Sequence, residues 1–161
     1  MTLNSRGFRD ALGHFATGVA VISAATPDGE AIGVTVNSFA SVSLEPPLVL
    51  WSLDKSSDRF RILMQVENFG VNMLGEAGSE ISRRLSRKGD SALHDEEIRK
   101  GQHAVPMLKH AIASFECAVH ERVEAGDHVI FIGRVLHCDH DNHEHPLLYY
   151  RGAYRVLAPK A

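Results

Sequence analysis

Thr35, Asn37, Ser38, Ser41 and Ser43 crowd into the otherwise apolar stretch 33–53, GVTVNSFASVSLEPPLVLWSL. Uncharged donors and acceptors beside a hydrophobic wall suit a flat, mostly apolar ligand with a polar edge. Pockets for such ligands are largely apolar and are oriented by a few placed polar groups. The same residues equally suit a Ser/Thr-rich connection whose hydroxyls bond their own backbone. On these residues alone both readings stand.

A second group follows at Asp54-Lys55-Ser56-Ser57-Asp58. Phe60, Leu63 and Met64 make a helical stripe that predicts a helix over 59–66, with Ser56 or Ser57 at its N-terminus. The first N–H groups of a helix lack internal partners and carry partial positive charge. With Lys55 and two hydroxyls they suit an anion such as a phosphate; plain capping needs only one of those serines. Arg83, Arg84, Arg87 and Lys88 form a basic run that reaches toward an anion or simply faces solvent.

His128 follows Gly126-Asp127 where a hairpin returns into a strand, and Asp127 stands ready to orient it; a histidine merely satisfied in a turn is the plainer alternative. Eight of the ten histidines lie beyond residue 100, and the tract 137–145, HCDHDNHEH, has the composition of a metal binder. A structural zinc site draws on separated ligand pairs, however, whereas this is one continuous connection between strands. It reads as a polar loop with incidental affinity for transition metals, and no metal is assigned.

These groups need elements to hold them. Ser5 caps a predicted helix with Phe8, Leu12 and Phe15 on its apolar face and Gly18 at its end. Residues 19–25 and 31–36 form a β-hairpin across Thr26-Pro27-Asp28-Gly29. Pro46 and Pro47 stand at the entry to a strand over 48–53, since neither can donate to a ladder. Further strands are predicted at 68–74, 112–123, 128–136, 147–150 and 154–157, with a helix beginning at Ser79 and an irregular excursion over 89–110. Six to eight short strands with few helices favour a barrel or sandwich over a doubly wound sheet.

The 161 residues, 44% hydrophobic and 23% charged, match one globular domain over 1–161. A net charge of -3 offers no general attraction to nucleic acid or anionic lipid. No apolar run approaches the ~20 residues of a membrane span, and Met1 to Arg6 lack a charged leader before an apolar core. A cytoplasmic location is expected, with Cys117 and Cys138 as free thiols, Cys117 buried on a strand. No G-x-G-x-x-G follows a strand, so a Rossmann site for a tightly held dinucleotide is not expected.

Taken in order, Phe8-Arg9, Phe15-Ala16-Thr17-Gly18-Val19, the block Thr35-Val36-Asn37-Ser38-Phe39 through Ser41-Val42-Ser43-Leu44-Glu45-Pro46-Pro47-Leu48, Asn68-Phe69-Gly70-Val71-Asn72 and Gly126-Asp127-His128 resemble the flavin reductase family. These are the short-chain NAD(P)H:flavin oxidoreductases that serve two-component monooxygenases. The resemblance spans nearly the whole chain. It implies a mainly β, FMN-binding split β-barrel, Greek-key-like with a few flanking helices, usually a homodimer with flavin near the subunit interface. It places the isoalloxazine and ribityl against Thr35, Val36, Asn37 and Ser38. The phosphate falls near Ser52, Leu53, Asp54, Lys55, Ser56 and Ser57, with Phe69 and Arg84 as additions.

The same resemblance associates His128 with the nicotinamide and brings Tyr154 toward the same place. The implied activity is hydride transfer from NADH or NADPH to FMN or FAD, with reduced flavin passing to an oxygenase component. Hydride transfer needs no protein base, so His128, the catalytic candidate, is expected to hold the nicotinamide or its carboxamide. Three other readings are a flavin carrier without catalysis, an oxidase of pyridoxamine phosphate type on the same barrel, and a barrel interaction module without a cofactor.

Overall fold

The computed structural model describes residues 4–141 and 144–158. In chain order it contains α1 (Ser5–Leu12), β1 (Thr17–Gly18), β2 (Ala20–Ala25), β3 (Ala31–Val36), β4 (Ala40–Leu44), β5 (Pro47–Asp54), α2 (Phe60–Leu63) and β6 (Asn68–Leu74). A 3-10 turn (Glu76–Gly78) leads into α3 (Ser79–Leu85), followed by β7 (Ile98–Lys100), β8 (Pro106–Leu108), β9 (Ala111–Ala125), β10 (His128–His140), β11 (Leu148–Tyr150) and β12 (Ala153–Arg155). Seven strands pair antiparallel in the order β3-β2-β6-β9-β10-β5-β4, with small sheets β1-β11-β12 and β7-β8 beside them.

The strands carry two apolar faces because side chains alternate along them. Ala20, Ile22 and Ala24 of β2 point into one core with Trp51, Leu53, Phe69 and Phe131. Val19 and Val21 point the other way, under α3, with Leu74, Leu85 and Leu93. Inside the barrel Trp51 stacks on Phe131 with ring centroids 4.4 Å apart, and Phe69 meets Trp51 edge-on at 5.7 Å. Aromatic pairs in such geometry add about 0.5–1.5 kcal/mol beyond their burial. Gly133 makes room for them: a Cβ there would collide with the Phe69 ring.

The first hairpin forms as the turn residues dictate. Gly29 takes φ +86, its N–H bonds the Thr26 carbonyl at 2.9 Å, and the Thr26 hydroxyl accepts from Glu30 N at 3.0 Å. Elsewhere local signals and structure diverge. Asn4, not Ser5, caps α1 by accepting from Gly7 N at 2.7 Å, and the helix stops at Gly13, five residues before Gly18. Phe8, Leu12 and Phe15 are exposed. Residues 40–44 are a strand, and their serines lie on the edge of the sheet. The helix expected over 59–66 shrinks to the single turn α2.

The stretch 89–110 contains β7 and β8. β10 runs on through His140, so His137 to His140 belong to a strand, not a loop. Asn142 and His143 of the histidine tract lie outside the described residues, as do 1–3 and 159–161. Among the described residues no cluster of three or more His, Cys, Asp or Glu is arranged to hold a metal ion. Among the described residues no helix is long and apolar enough to cross a membrane. Cys117 and Cys138 are free, and burial beside the Glu116 charge pushes the Cys117 thiol up to about 12.

Candidate functional site

Where β3 and β5 end, a cleft of about 320 Å³ opens, lined by residues 34–38, 52–54 and 56–59 together with Ser86, Lys88 and His128. Sheet pairing sets this arrangement. In the antiparallel register of β5 and β10, His128 stands opposite Asp54 and Ile130 opposite Ser52. Ser38, just beyond β3, accepts from Ser52 N at 2.9 Å and donates to Ser52 O at 3.3 Å. One hydroxyl thus stitches two strands that are not neighbours in the sheet. Val34, Val36 and Leu53 line the cleft as well, but Val36 and Leu53 are buried members of the barrel core and Val34 packs against it.

The hairpin between β9 and β10 carries His128 and is anchored at its base. Gly126 turns the chain with φ +64, a conformation glycine adopts without steric cost. Lys55 N donates to Asp127 O at 2.9 Å, Lys55 Nζ donates to Gly126 O at 2.8 Å, and the same ammonium pairs with Glu124. His128 Nδ1 lies 2.7 Å from Asp127 Oδ1. A carboxylate only accepts, so Nδ1 is the donor in this contact, and in the neutral ring Nε2 is left as an acceptor.

The opposite wall, residues 86–90, has no regular structure and is held by side chains. Arg59, only 3% exposed, bonds Asp58 Oδ1 at 2.8 Å and donates to the carbonyls of Arg87 and Asp90 at 2.8 and 2.7 Å. Asp58 Oδ2 accepts from Gly89 N at 2.6 Å. That N–H, with lesser help from the Arg59 guanidinium, holds the Asp58 carboxyl below its ordinary value. Asp54 is lowered too, first by its bond from Ser56 N and more weakly by the charges of His128 and Lys88.

Ten of the residues singled out from sequence therefore meet in one place: Thr35, Val36, Asn37, Ser38, Ser52, Leu53, Asp54, Ser56, Ser57 and His128. Four do not line it. Lys55 turns toward the 124–127 hairpin and serves as its anchor. Phe69 is fully buried beneath Trp51. Arg84 is committed to Glu97 through two contacts of 2.6 and 2.7 Å and to Ala92 O at 2.6 Å. Tyr154 bonds Ser82 Oγ at 2.6 Å, with Arg83 above its ring at 5.1 Å.

At the start of α2 the serine N–H groups expected to face an anion have partners within the chain. Ser56 N is spent on Asp54 Oδ1 at 2.7 Å and Ser57 N on Asp54 O at 3.0 Å, and Arg59 caps α2 without a side-chain bond. Positive charge reaches the cleft instead through Lys88, the last residue of the basic run in which Arg84 had stood out. Arg59 and Ser86 carry no role from sequence, and Asp58 enters there only as the end of the 54–58 group. The one available signal was a lone arginine heading a short apolar stripe. A larger cavity of about 680 Å³ lies on the other side of α3, but it lacks the 35–38 wall and His128.

The flavin reductase like domain matches residues 12–158. The chain is 44% identical over 151 residues to the FMN reductase (NADH) SmoA of Agrobacterium fabrum, covering 94% of this chain and 85% of that protein. It is 41% identical over 156 residues to the NADH-dependent flavin reductase StyB of Pseudomonas fluorescens, covering 94% and 89%. Against some other relatives it spans about half their length, 50% of a flavin reductase from Rhizobium meliloti and 48% of the trigonelline monooxygenase reductase component of Acinetobacter baylyi. Among solved structures, an NADH:FAD oxidoreductase of Streptomyces globisporus in complex with NAD and FAD fragments superposes with a TM-score of 0.88 at 33% identity, covering 98% of this chain and 95% of that one. Sequence likeness along nearly the whole chain, the shared split barrel and the family model together establish that this chain belongs to the flavin reductase family.

Proposed function

We propose that the chain is an NADH-dependent flavin reductase that passes reduced flavin to a partner monooxygenase. The observation that carries this reading is the cleft itself, which gathers the 35–38 wall, the 52–57 segment and His128 within a chain of this family. Its composition fits a flavin. Thr35, Asn37 and Ser52 line it with uncharged polar groups for the polar edge of a ring, while Lys88 and the Ser57 hydroxyl offer a cation and a donor for a phosphate.

Bound flavin supplies the redox chemistry, accepting the hydride that a reduced nicotinamide gives up. The residues of this chain bind, orient and exclude water. His128, kept in one tautomer by Asp127, presents Nε2 as an acceptor for a carboxamide N–H and so positions the nicotinamide. Placing reactants at contact removes much of the orientational barrier of a bimolecular step.

Anaerobic addition of NADH to the purified protein with FMN or FAD tests this directly. Catalysed bleaching of the yellow absorbance is the expected result. Tight flavin binding without bleaching would leave a carrier, and bleaching by an amine substrate without NADH would make it an oxidase.

The active unit in this reading is a homodimer of the single domain 1–161, working in the cytoplasm. Phe8, Leu12 and Phe15 expose 50%, 58% and 78% of their surface on one end of the molecule, and Leu44 on the edge strand β4 exposes 92%. Apolar groups so placed mark surfaces that a partner covers. Light scattering at micromolar concentration is expected to give twice the chain mass, and Phe15→Glu to shift it toward the monomer.

A further inference from the structure

The turn that carries His128 reaches past the ladders that hold the rest of the sheet. Pairing of β5 with β10 ends at His128↔Asp54, and pairing of β6 with β9 ends at Asn68↔Ala118. From His120 to Ala125, β9 therefore has β10 alone as its strand neighbour, and Gly126-Asp127 stand beyond both ladders. Arg122 Nη2 ties β9 to Val66 O, but further back. A hairpin end with so few partners opens readily unless something outside holds it.

Lys55 supplies the hold. Its N–H continues the β5 ladder by one bond, to Asp127 O at 2.9 Å, while its ammonium donates to Gly126 O at 2.8 Å and pairs with Glu124. Among the described residues these are the hydrogen bonds and ion pairs that join 124–127 to the chain outside the hairpin. The ion pair leaves 37% and 69% of its two side chains exposed, so it contributes little. The charge-assisted bond to the turn carbonyl is the stronger tie.

Asp54 and Ser56, on either side of Lys55, line the cleft, and Lys55 does not. By its backbone Lys55 belongs to the segment 52–57, and by its side chain to the turn. Two of the three protons of its ammonium are committed there.

We infer that Lys55 is a positioning residue for the nicotinamide. It fixes the Gly126-Asp127 turn to the flavin-side segment and, through Asp127, sets where His128 stands. This rests on the proposed reading of the cleft and of His128. The resemblance puts Lys55 at the flavin phosphate; its contacts move its weight to the other ligand.

The test compares wild type, Lys55→Met, Lys55→Arg and His128→Ala with and without Lys55→Met. Steady-state NADH oxidation is measured with the flavin that the wild type reduces, FMN or FAD, and flavin affinity by fluorescence titration. Lys55→Met keeps the apolar stem and removes the ammonium, so KM for NADH should rise about 3- to 10-fold, with kcat and flavin affinity each within about 2-fold of wild type. Lys55→Arg keeps donors for Gly126 O and should restore KM to within about 2-fold. On the His128→Ala background Lys55→Met should change KM by less than about 2-fold, because a residue that acts through His128 has nothing left to place. An unchanged KM in Lys55→Met overturns the inference. So does a fall in flavin affinity, which would return Lys55 to the flavin phosphate, and so does an equal rise in KM with and without His128. In each of these cases the wild type still oxidises NADH and the reading stands. A wild type that oxidises NADH with neither flavin overturns the reading, and the inference with it.

Discussion

The two walls of the cleft are held by different forces. The wall formed by residues 34–38 and 52–54 belongs to the sheet, where β5 pairs with β10 over seven residue pairs from His128↔Asp54 to Arg134↔Leu48. The wall at 86–90 is irregular and hangs on two adjacent side chains, Asp58 and Arg59, that grip the backbone at Arg87, Gly89 and Asp90. A ladder shares its load among many bonds, so no one side chain decides its position. A bracket made of two side chains fails when either is removed.

Arg59→Met should break the contrast most strongly. It strips a buried guanidinium from two carbonyls and a carboxylate, and a loss of about 2–4 kcal/mol in unfolding free energy is expected by denaturant titration. Flavin affinity should fall as Ser86 and Lys88 lose their support. Stability at the wild-type level would show that the sheet alone positions both walls.

Asp58→Asn should act in the same direction with less force, about 1–2 kcal/mol at neutral pH. The folded-state value of Asp58 lies below its ordinary 3.8, so its contribution is present above that value and is lost as pH falls through the lower one. The gap between wild type and variant should accordingly be full near about pH 6 and narrow as pH falls below 3.8. A gap that persists in acid would mean that charge is not what holds Gly89.

On the sheet-built side effects should be smaller and more selective. His128→Ala should raise the KM for NADH about 10-fold, the worth of one hydrogen bond to substrate, while flavin affinity stays within about 2-fold. A selective loss of flavin would assign His128 to the other ligand. Ser38→Ala should cost about 0.5–1.5 kcal/mol, because one stitch among many ladder bonds is removed. If it matched Arg59→Met, the two walls would not differ as described.

Local chemistry made the barrel legible. Short apolar runs marked β2, β3, β6 and β10, alternation marked β9, and Thr26-Pro27-Asp28-Gly29 marked the first turn, since residue type, period-2 alternation and turn residues report on their own neighbours. Periodicity located the apolar stripe of α1 but said nothing of what covers it, and Phe15 stands 78% exposed. Phe69 enters only through the resemblance, and an aromatic residue beside a glycine reads alike whether it faces a ligand or a core; here it lies in the core. Arg84 and Lys88 were indistinguishable in one basic run until the fold gave Glu97 to the first and the cleft to the second.

By itself the sequence determined the mainly β character, the polar residues at 35–38, the Gly-Asp-His turn and the family, all of which depend on residue type and short spacing; of the twelve strands it marked six to eight. Tertiary structure alone decided that the Ser56 and Ser57 N–H groups are spent on Asp54, that Arg59 is the buried bracket of the far wall, and that the Thr35 proton points at Ser82. Donor and acceptor direction is a property of partners up to 47 residues apart, and no local pattern records which partner a hydroxyl or guanidinium will meet.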